Sequence, residues 1–362
     1  MKNTEIGVII NPHAGPSRGR KEFNSVQALA CREMVPLFTT KDIDEIPDVL
    51  RKLLIAQKVK IVLVYGGDGT LREVVDFAIY KKSHETEKAK KIGKIPLIGS
   101  IGGGTQQAVH NWLGLEGSPS HLLKKILATP YEYLPTRKLK PLEISFVDES
   151  GRKKIHWGFI FIMGLAEIIE VYEKERSVLN GVKHFALAAL ASVTGLPLKY
   201  YRLVRQFNAS LYANDNLLSI RKPIAIVCSV TDHLLYGIQP FHGRREFNQF
   251  YAASYQLSAR SLVAMLPLIY RGAWIPGARL IPPYSLPHQV APSITPVFNH
   301  RFFSKALPGA DNFFNQPVFN FSVVSPEKNQ IFIDGELYKT ELGSIISVKL
   351  GPDVQFVSAF GS

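Results

Sequence analysis

The sequence predicts an α/β domain followed by an all-β domain. Through residue 138, short apolar runs alternate with segments of helical spacing, a pattern typical of a parallel sheet covered on both faces. From residue 139 onwards, strand-like runs separated by turn residues indicate antiparallel sheets. Because 362 residues exceed what one compact core usually holds, we predict two domains, residues 1–138 and 139–362. This division leaves open that the last strand of the chain returns to the first domain.

Hydrophobic spacing locates the elements of the first domain. A strand at residues 6–10 ends at Asn11-Pro12, because proline cannot continue a strand ladder. In residues 43–57, apolar side chains recur at intervals of three and four, which predicts an amphipathic helix. We predict further strands at residues 36–39, 60–65 and 95–99, and further helices at residues 21–31 and from residue 71.

The second domain is expected to be rich in antiparallel strands. Residues 182–201 have a helical pattern, and the proline and glycine residues of 274–296 predict an irregular stretch. We predict strands at residues 142–146, 154–163, 222–230, 249–254, 318–324 and 330–334.

The formal net charge of +13 favours an anionic partner. A polyphosphate or an acidic membrane surface fits best, and nucleic acid is disfavoured because the cations are scattered without a recognition motif. No signal-like N-terminus is present, and the apolar runs are shorter than the ~20 residues of a membrane span. We therefore expect a cytoplasmic protein that associates peripherally with membranes. The cysteines, Cys31 and Cys228, lie in apolar-patterned segments and are expected to be buried thiols.

The run Gly66-Gly67-Asp68-Gly69-Thr70 carries the strongest chemical signal in the chain. It joins a buried-strand pattern to a helical pattern. Glycine backbone can close around phosphate oxygens, and a helix N-terminus adds a favourable field. Asp68 would supply the carboxylate that holds Mg²⁺ or takes a proton from an attacking hydroxyl. The run predicts phosphoryl chemistry, although by itself it also fits an ordinary strand–turn.

Two further loops strengthen this prediction. One is Gly102-Gly103-Gly104-Thr105, after the strand at residues 95–99, and the other begins at Asn11-Pro12 and contains Gly15. Ligands of open α/β sheets bind at the carboxyl ends of the strands, so three such loops would converge on one phosphate chain. Arg18, in the loop that begins at Asn11, could clamp an anion. Because no Gly-Lys-Ser/Thr ending is present, the site is not the P-loop of common NTPases.

Together with a late Asp334-Gly335-Glu336, these motifs resemble the diacylglycerol/sphingosine/ceramide kinase family. Their order and approximate spacing match, and the segments His156–Ile160 and Asp334–Leu337 are similar to the sphingosine-kinase branch. The resemblance implies an NAD-kinase-like nucleotide-binding α/β domain, a β-sandwich lipid-binding domain and an active site in the cleft between them. It also implies ATP and Mg²⁺ as cofactors and a lipid alcohol as substrate.

The resemblance also implies a role for each matching residue. Asp68 would be a catalytic acid/base and the metal-organising carboxylate, and Asp334 would join it from the second domain. On the Asp334-Gly335 dipeptide alone, a simple hairpin turn is the favoured interpretation. The nucleotide-binding set would comprise Asn11, Gly15, Arg18, Gly66, Gly67, Gly69, Thr70, Glu73, Gly104, Thr105 and Glu336.

Departures from the family pattern keep other functions open. The second loop continues as Gln106-Gln107-Ala108, where the family commonly has Gly-Asn-Asp, and this would suit a non-catalytic lipid- or nucleotide-binding relative. Acidic residues that the sphingosine branch uses for the lipid amine are replaced by Phe161-Ile162-Met163, so diacylglycerol is as good a candidate as a sphingoid base. An NAD-kinase-like soluble kinase would share the glycine motif but leaves the late acidic pair unexplained. A homodimer also stays open.

Overall fold

The computed structural model describes residues 5–13, 19–83, 95–104, 107–164, 206–232, 234, 241, 243–256 and 313–360. In these residues the strands form three six-stranded sheets, one largely parallel and flanked by helices and two antiparallel. The predicted fold class, an α/β part followed by an all-β part, is confirmed. The helix predicted at residues 182–201 and the irregular stretch at 274–296 lie outside the described residues.

The first part of the chain contains all the α-helices of the described residues. No helix there is long and apolar enough to cross a bilayer. The elements are β1 (Ile6–Ile10), α1 (Gly19–Arg32), β2 (Leu37–Thr39), α2 (Ile46–Arg51), β3 (Ile61–Gly66), α3 (Asp68–Ser83), β4 (Leu97–Gly103), α4 (Ala108–Trp112), α5 (Pro119–Ala128) and β5 (Thr136–Leu139).

The remainder of the described chain is built from strands. They are β6 (Leu142–Val147), β7 (Lys153–Gly158), β8 (Ile160–Met163), β9 (Ser210–Ala213), β10 (Asn216–Leu217), β11 (Ala225–Ser229), β12 (Phe250–Tyr255), β13 (Phe313–Val318), β14 (Asn320–Val324), β15 (Gln330–Ile333), β16 (Glu336–Lys339), β17 (Ile345–Leu350) and β18 (Val354–Val357).

The first sheet has the strand order β2-β1-β3-β4-β18-β5. Strands β1 to β4 are mutually parallel, and every residue of β1 and β3 is buried, as expected for a sheet covered on both faces. The carboxyl ends of β1, β3 and β4 therefore meet at one edge. Strand β4 extends to Gly103, four residues beyond its predicted end at residue 99, so part of the second glycine loop continues the strand.

The helix predicted at residues 43–57 is broken. A 3₁₀ turn (Ile43–Glu45) is followed by α2 and then by a wider π-type turn (Lys52–Ala56). Proline has no N–H, so Pro47 cannot bond to the carbonyl of Ile43, and a continuous helix through both residues is interrupted. The apolar stripe is nevertheless buried as predicted, with Ile46, Leu50 and Leu53 fully inaccessible.

The two antiparallel sheets have the orders β10-β9-β14-β17-β6-β7 and β13-β12-β11-β8-β15-β16. The single strand predicted at residues 154–163 is divided at Phe159, because β7 and β8 belong to different sheets. The strand predicted at 318–324 is likewise divided at Phe319 between β13 and β14. At both points the chain changes sheets, which makes the corners of the layered structure.

The last strand connects the two halves. Strand β18 pairs in parallel with β4 and antiparallel with β5, so the chain returns to the first sheet after the antiparallel sheets are complete. The domain boundaries at residues 138 and 139 stay a prediction. The prediction of two buried thiols is wrong for Cys31, which is exposed, whereas Cys228 is buried in β11. Cys31 lies on the outer face of α1, while the neighbouring Ala30 faces the core.

Candidate active site

The glycine motif lies at the carboxyl end of β3. Gly66 ends the strand, Gly67 follows it, and Asp68, Gly69 and Thr70 form the first turn of α3. The side-chain amide of Asn11, just after β1, donates to Oγ1 of Thr70 over 3.0 Å. Asn11 and the glycine motif are therefore in direct contact, as expected if neighbouring strand ends build one site.

The carboxylate of Asp68 is tied to the start of α4. Its Oδ2 accepts the backbone N–H of Ala108 at 2.8 Å, and its Oδ1 accepts that of Val109 at 3.4 Å. These are the first two residues of the helix, whose N–H groups have no partner within the helix. Asp68, only 6% exposed, thus connects the glycine motif to the segment after the second glycine loop.

Asp334 occupies a two-residue hairpin turn between β15 and β16. Asp334 and Gly335 have φ of 46° and 108°, and two central residues with positive φ are the mark of a type I′ turn. The buried carboxylate accepts the backbone N–H of Phe159 on Oδ2 at 2.6 Å and that of Ile160 on Oδ1 at 2.8 Å. The hairpin interpretation is confirmed, and the same turn fixes a carboxylate at the corner between β7 and β8.

The hairpin lies directly against the glycine motif. A Cβ added at Gly69 would be 2.8 Å from the carbonyl oxygen of Asp334, so this approach is possible only for glycine. Burial raises the pKa of Asp68 and of Asp334 above the usual aspartate range, and the charge of Asp68 raises the pKa of Asp334 further. The structure thus brings two buried carboxylates, one from each half of the chain, to a shared site.

Replacing Gly69 with alanine is expected to lower the free energy of unfolding by about 1–3 kcal/mol, the usual range for overpacking. The new methyl group would push the Asp334 hairpin away from α3 and weaken any activity that needs both carboxylates. Gly151→Ala is the matched control, since a Cβ there meets nothing within 4 Å and the cost is only that of its positive φ of 76°. Denaturant unfolding measures the free energy of unfolding of both variants. Equal activity in the two variants would contradict the inference that activity depends on the close approach of Gly69 to Asp334.

A buried arginine holds the second half of the chain to α3. Arg72 has no exposed surface, and its Nη2 lies 2.7 Å from Oε2 of Glu336 and also contacts Glu73. Its guanidinium carbon is 5.9 Å from the ring centre of Tyr338, whose hydroxyl donates to Oε2 of Glu336 at 2.8 Å. Sequence reasoning missed Arg72. The available signal was its position four residues after Asp68, which places both on one face of α3.

The charged groups around Arg72 change one another's pKa. Burial alone would lower the pKa of Arg72, but Tyr338, Glu73 and Glu336 outweigh it and raise that pKa above its usual value. Burial raises the pKa of Glu73 to about 7; Arg72 lowers it and Glu336 raises it. Glu73 is therefore engaged with Arg72, and its proposed contact with the nucleoside stays a prediction.

The second glycine loop is only partly described. The Gln107 side-chain amide donates to the carbonyl oxygen of Gly104 over 2.9 Å, so the glutamine that departs from the family pattern closes the loop. Gly15, Arg18 and Thr105, predicted to bind the nucleotide, lie outside the described residues.

The carboxylate oxygens of Asp68 and Asp334 are ligands of the kind that a magnesium ion takes when it is also bound to nucleotide phosphates. Across the described residues, no group of three or more His, Cys, Asp or Glu side chains forms a metal cage. Mg²⁺, however, usually takes only one or two carboxylates and completes its shell with phosphates and water. Each oxygen of Asp68 and Asp334 accepts one backbone N–H, and an ionised carboxylate has about four acceptor positions, so further ligation is chemically allowed.

The raised pKa values of the two aspartates predict a specific pH dependence. Above the unfolded pKa near 3.9, the native protein keeps protons that the unfolded chain has released, so the free energy of unfolding falls as pH rises through this window. The fall continues until both carboxylates are ionised in the native state. In Asp68→Asn this slope should be smaller, as measured by denaturant unfolding at a series of pH values. A variant with an unchanged or steeper slope would contradict the shifted pKa values.

Comparison with known proteins shows which solved structures share this fold and which domain the first part of the chain matches. Over 98% of its length, the chain shares its fold with a diacylglycerol kinase from Bacillus anthracis str. Sterne (TM-score 0.57, 12% identity, 96% of that chain covered). Two putative diacylglycerol kinases of that organism match over the same share of this chain, with TM-scores of 0.59 and identities of 14% and 13%, covering 96% and 97% of their own chains.

Residues 5–133 match the diacylglycerol kinase catalytic domain. No curated protein matches the sequence. The predicted resemblance to the diacylglycerol kinases is confirmed by the match over residues 5–133, which does not single out the sphingosine-kinase branch.

Proposed function

We propose that the protein is an ATP- and Mg²⁺-dependent lipid kinase. It would transfer the γ-phosphoryl group to the hydroxyl of a lipid alcohol, either diacylglycerol or a sphingoid-type lipid. The domain match of residues 5–133 and the fold shared along the chain support a kinase. The net charge of +13 would favour peripheral binding to an anionic membrane, where such a substrate resides.

The observation that carries the proposal is the pairing of Asp68 and Asp334 at the glycine motif. A lipid hydroxyl is a weak nucleophile and needs a carboxylate placed to accept its proton. Burial raises the pKa of Asp68 above the usual aspartate range, so its carboxylate is a stronger base than that of an exposed aspartate. The N–H groups of Ala108 and Val109 hold its carboxylate in one orientation.

The other residues of the site would position the nucleotide. Backbone N–H groups of Gly66 to Thr70 would face the phosphates, and Asn11 would hold the Thr70 side chain in place. Asp334, fixed by the N–H groups of Phe159 and Ile160, would close the site from the second half of the chain. Bound Mg²⁺ would supply charge neutralisation at the phosphates, with Asp68 and Asp334 as its protein carboxylates.

One observation favours a second candidate function, that of a non-catalytic lipid- or nucleotide-binding relative. Both oxygens of Asp68 already accept N–H groups from α4, so the residue has a structural task independent of catalysis. The altered Gln106-Gln107-Ala108 segment adjoins that contact. Binding of ATP without turnover on any lipid would support this alternative.

A competition experiment tests the proposal against a soluble-metabolite kinase. The protein is incubated with γ-labelled ATP, Mg²⁺, NAD and vesicles containing diacylglycerol and sphingosine, and the organic and aqueous phases are then separated. A lipid kinase places the label in the organic phase, whereas label on NAD would overturn the lipid assignment. Each lipid is then supplied alone to distinguish diacylglycerol from the sphingoid base.

A further inference from the structure

A recess of about 350 Å³ lies between the first sheet and the antiparallel part of the protein. Its walls come from the end of α4, from β5 and the residue after it, and from residues 244–247 with Tyr251 of β12. The described residues that line it include none from the glycine motif or the Asp334 hairpin. The recess is therefore a different location from the candidate active site.

Positive charge is concentrated in this recess. Among the described residues that line it, the carboxylates Asp232 and Glu246 are outnumbered by cationic side chains. A concave surface with an excess of one charge concentrates ions of the opposite sign. The cationic side chains are Arg137, Lys138, Lys140, Arg244 and Arg245.

Two of these arginines are held against one aromatic ring. The guanidinium carbons of Arg137 and Arg245 lie 3.6 Å and 6.0 Å from the ring centre of Trp112. Arg137 also donates to the carbonyl oxygen of Trp112 over 2.9 Å, and Arg245 donates to that of Gln249 over 3.0 Å. A guanidinium has five donors in a fixed fork, so each anchored group can present further N–H groups to a ligand.

The two guanidinium groups repel each other. Burial lowers the pKa of Arg245, and the charge of Arg137 lowers it further, although Tyr251 and Asp232 act in the opposite direction. Lys140 is not part of this arginine pair. Its ammonium donates a hydrogen bond to Oδ1 of Asn248 at 2.7 Å. An anion placed between Arg137 and Arg245 would relieve their repulsion.

We propose that this recess binds a phosphate-bearing group. One guanidinium fork meets two oxygens of either a carboxylate or a phosphate, but a phosphate has more than two oxygens and can therefore accept from two forks at once. The phosphate could belong to a soluble compound or to the headgroup of an anionic lipid, and the same side chains would recognise both. The proposal does not depend on kinase activity, because it rests on residues outside the carboxylate site.

The test uses the full chain with two probes. Inorganic pyrophosphate is titrated in solution by calorimetry, and binding to vesicles of phosphatidylcholine with phosphatidic acid is measured by co-sedimentation against phosphatidylcholine alone. One variant is Arg137→Gln with Arg245→Gln. A second, Lys138→Gln with Arg244→Gln, changes exposed side chains and keeps the test valid if the first variant fails to fold. Lys41→Gln with Lys222→Gln removes the same charge from exposed positions outside the recess.

We expect at least one probe to bind the wild type and to bind the recess variants at least about tenfold more weakly, with the control unchanged. Loss confined to pyrophosphate would identify a soluble phosphate compound, and loss confined to vesicles would identify a lipid headgroup. The proposal is overturned if neither probe binds the wild type, or if the control loses as much affinity as the recess variants.

Discussion

Replacing Asp68 with asparagine is expected to lower the rate of lipid phosphorylation by about 100- to 10,000-fold, the usual contribution of a positioned acid or base. Asparagine keeps an oxygen that can accept the 2.8 Å bond from Ala108, and the bond it loses, from Val109, is the longer one at 3.4 Å. The variant should therefore fold, and its defect should lie in turnover. Label transfer from ATP to lipid measures the rate, and circular dichroism checks the fold.

The matched control for this substitution is Asp44→Asn, which removes one exposed carboxylate from the same part of the chain. It should phosphorylate lipid at the wild-type rate. Near-normal phosphorylation by a folded Asp68→Asn protein would contradict a catalytic role. In that case only the structural contact of Asp68 with α4 would remain.

Replacing Arg72 with methionine is expected to lower the free energy of unfolding by about 3 kcal/mol. Removing one partner of a buried ion pair leaves the other uncompensated, and such losses are usually of this size. Arg72 is fully buried, whereas Glu73 and Glu336 are 21% and 31% exposed in their side chains, so water can compensate part of the loss. The Asp334 hairpin would also lose its anchor to α3, and activity should fall together with stability.

A second substitution and a control distinguish lost pairing from lost packing. Adding Glu336→Gln to Arg72→Met should restore part of the stability, because it removes a carboxylate left without its cation. Arg32→Met breaks the exposed pair of Arg32 with Glu33 and should cost less than about 1 kcal/mol. Denaturant unfolding measures all of these variants. An Arg72→Met protein as stable as Arg32→Met would show that the buried network does not hold the two halves together.

Much of the fold could be predicted because its periodicity is simple. The strand predicted at residues 6–10 coincides with β1, and the strand and helix on either side of the glycine motif are both present. Apolar runs in a parallel sheet are nearly continuous, so they are easy to recognise. The divisions at Phe159 and Phe319 could not be predicted, since a change of sheet leaves the alternation of side chains almost unaltered.

The candidate site was predictable where a motif is local and unpredictable where contacts are distant in sequence. The glycine motif and Asp334 are each recognisable within a few residues, and the structure brings them together. The bonds from Ala108 and Val109 to Asp68 span 40 and 41 residues, and Arg72 pairs with Glu336 from the second half of the chain. Such contacts depend on how the two halves pack, which periodicity does not encode.

The most direct test compares Asp68→Asn, Asp334→Asn and the double variant in single-turnover phosphoryl transfer from ATP to lipid. Carboxylates that act as one unit have strongly non-additive effects. We therefore predict that the double variant is about as slow as the slower single variant. Losses that multiply independently, or a double variant that retains wild-type turnover, would contradict a shared catalytic site.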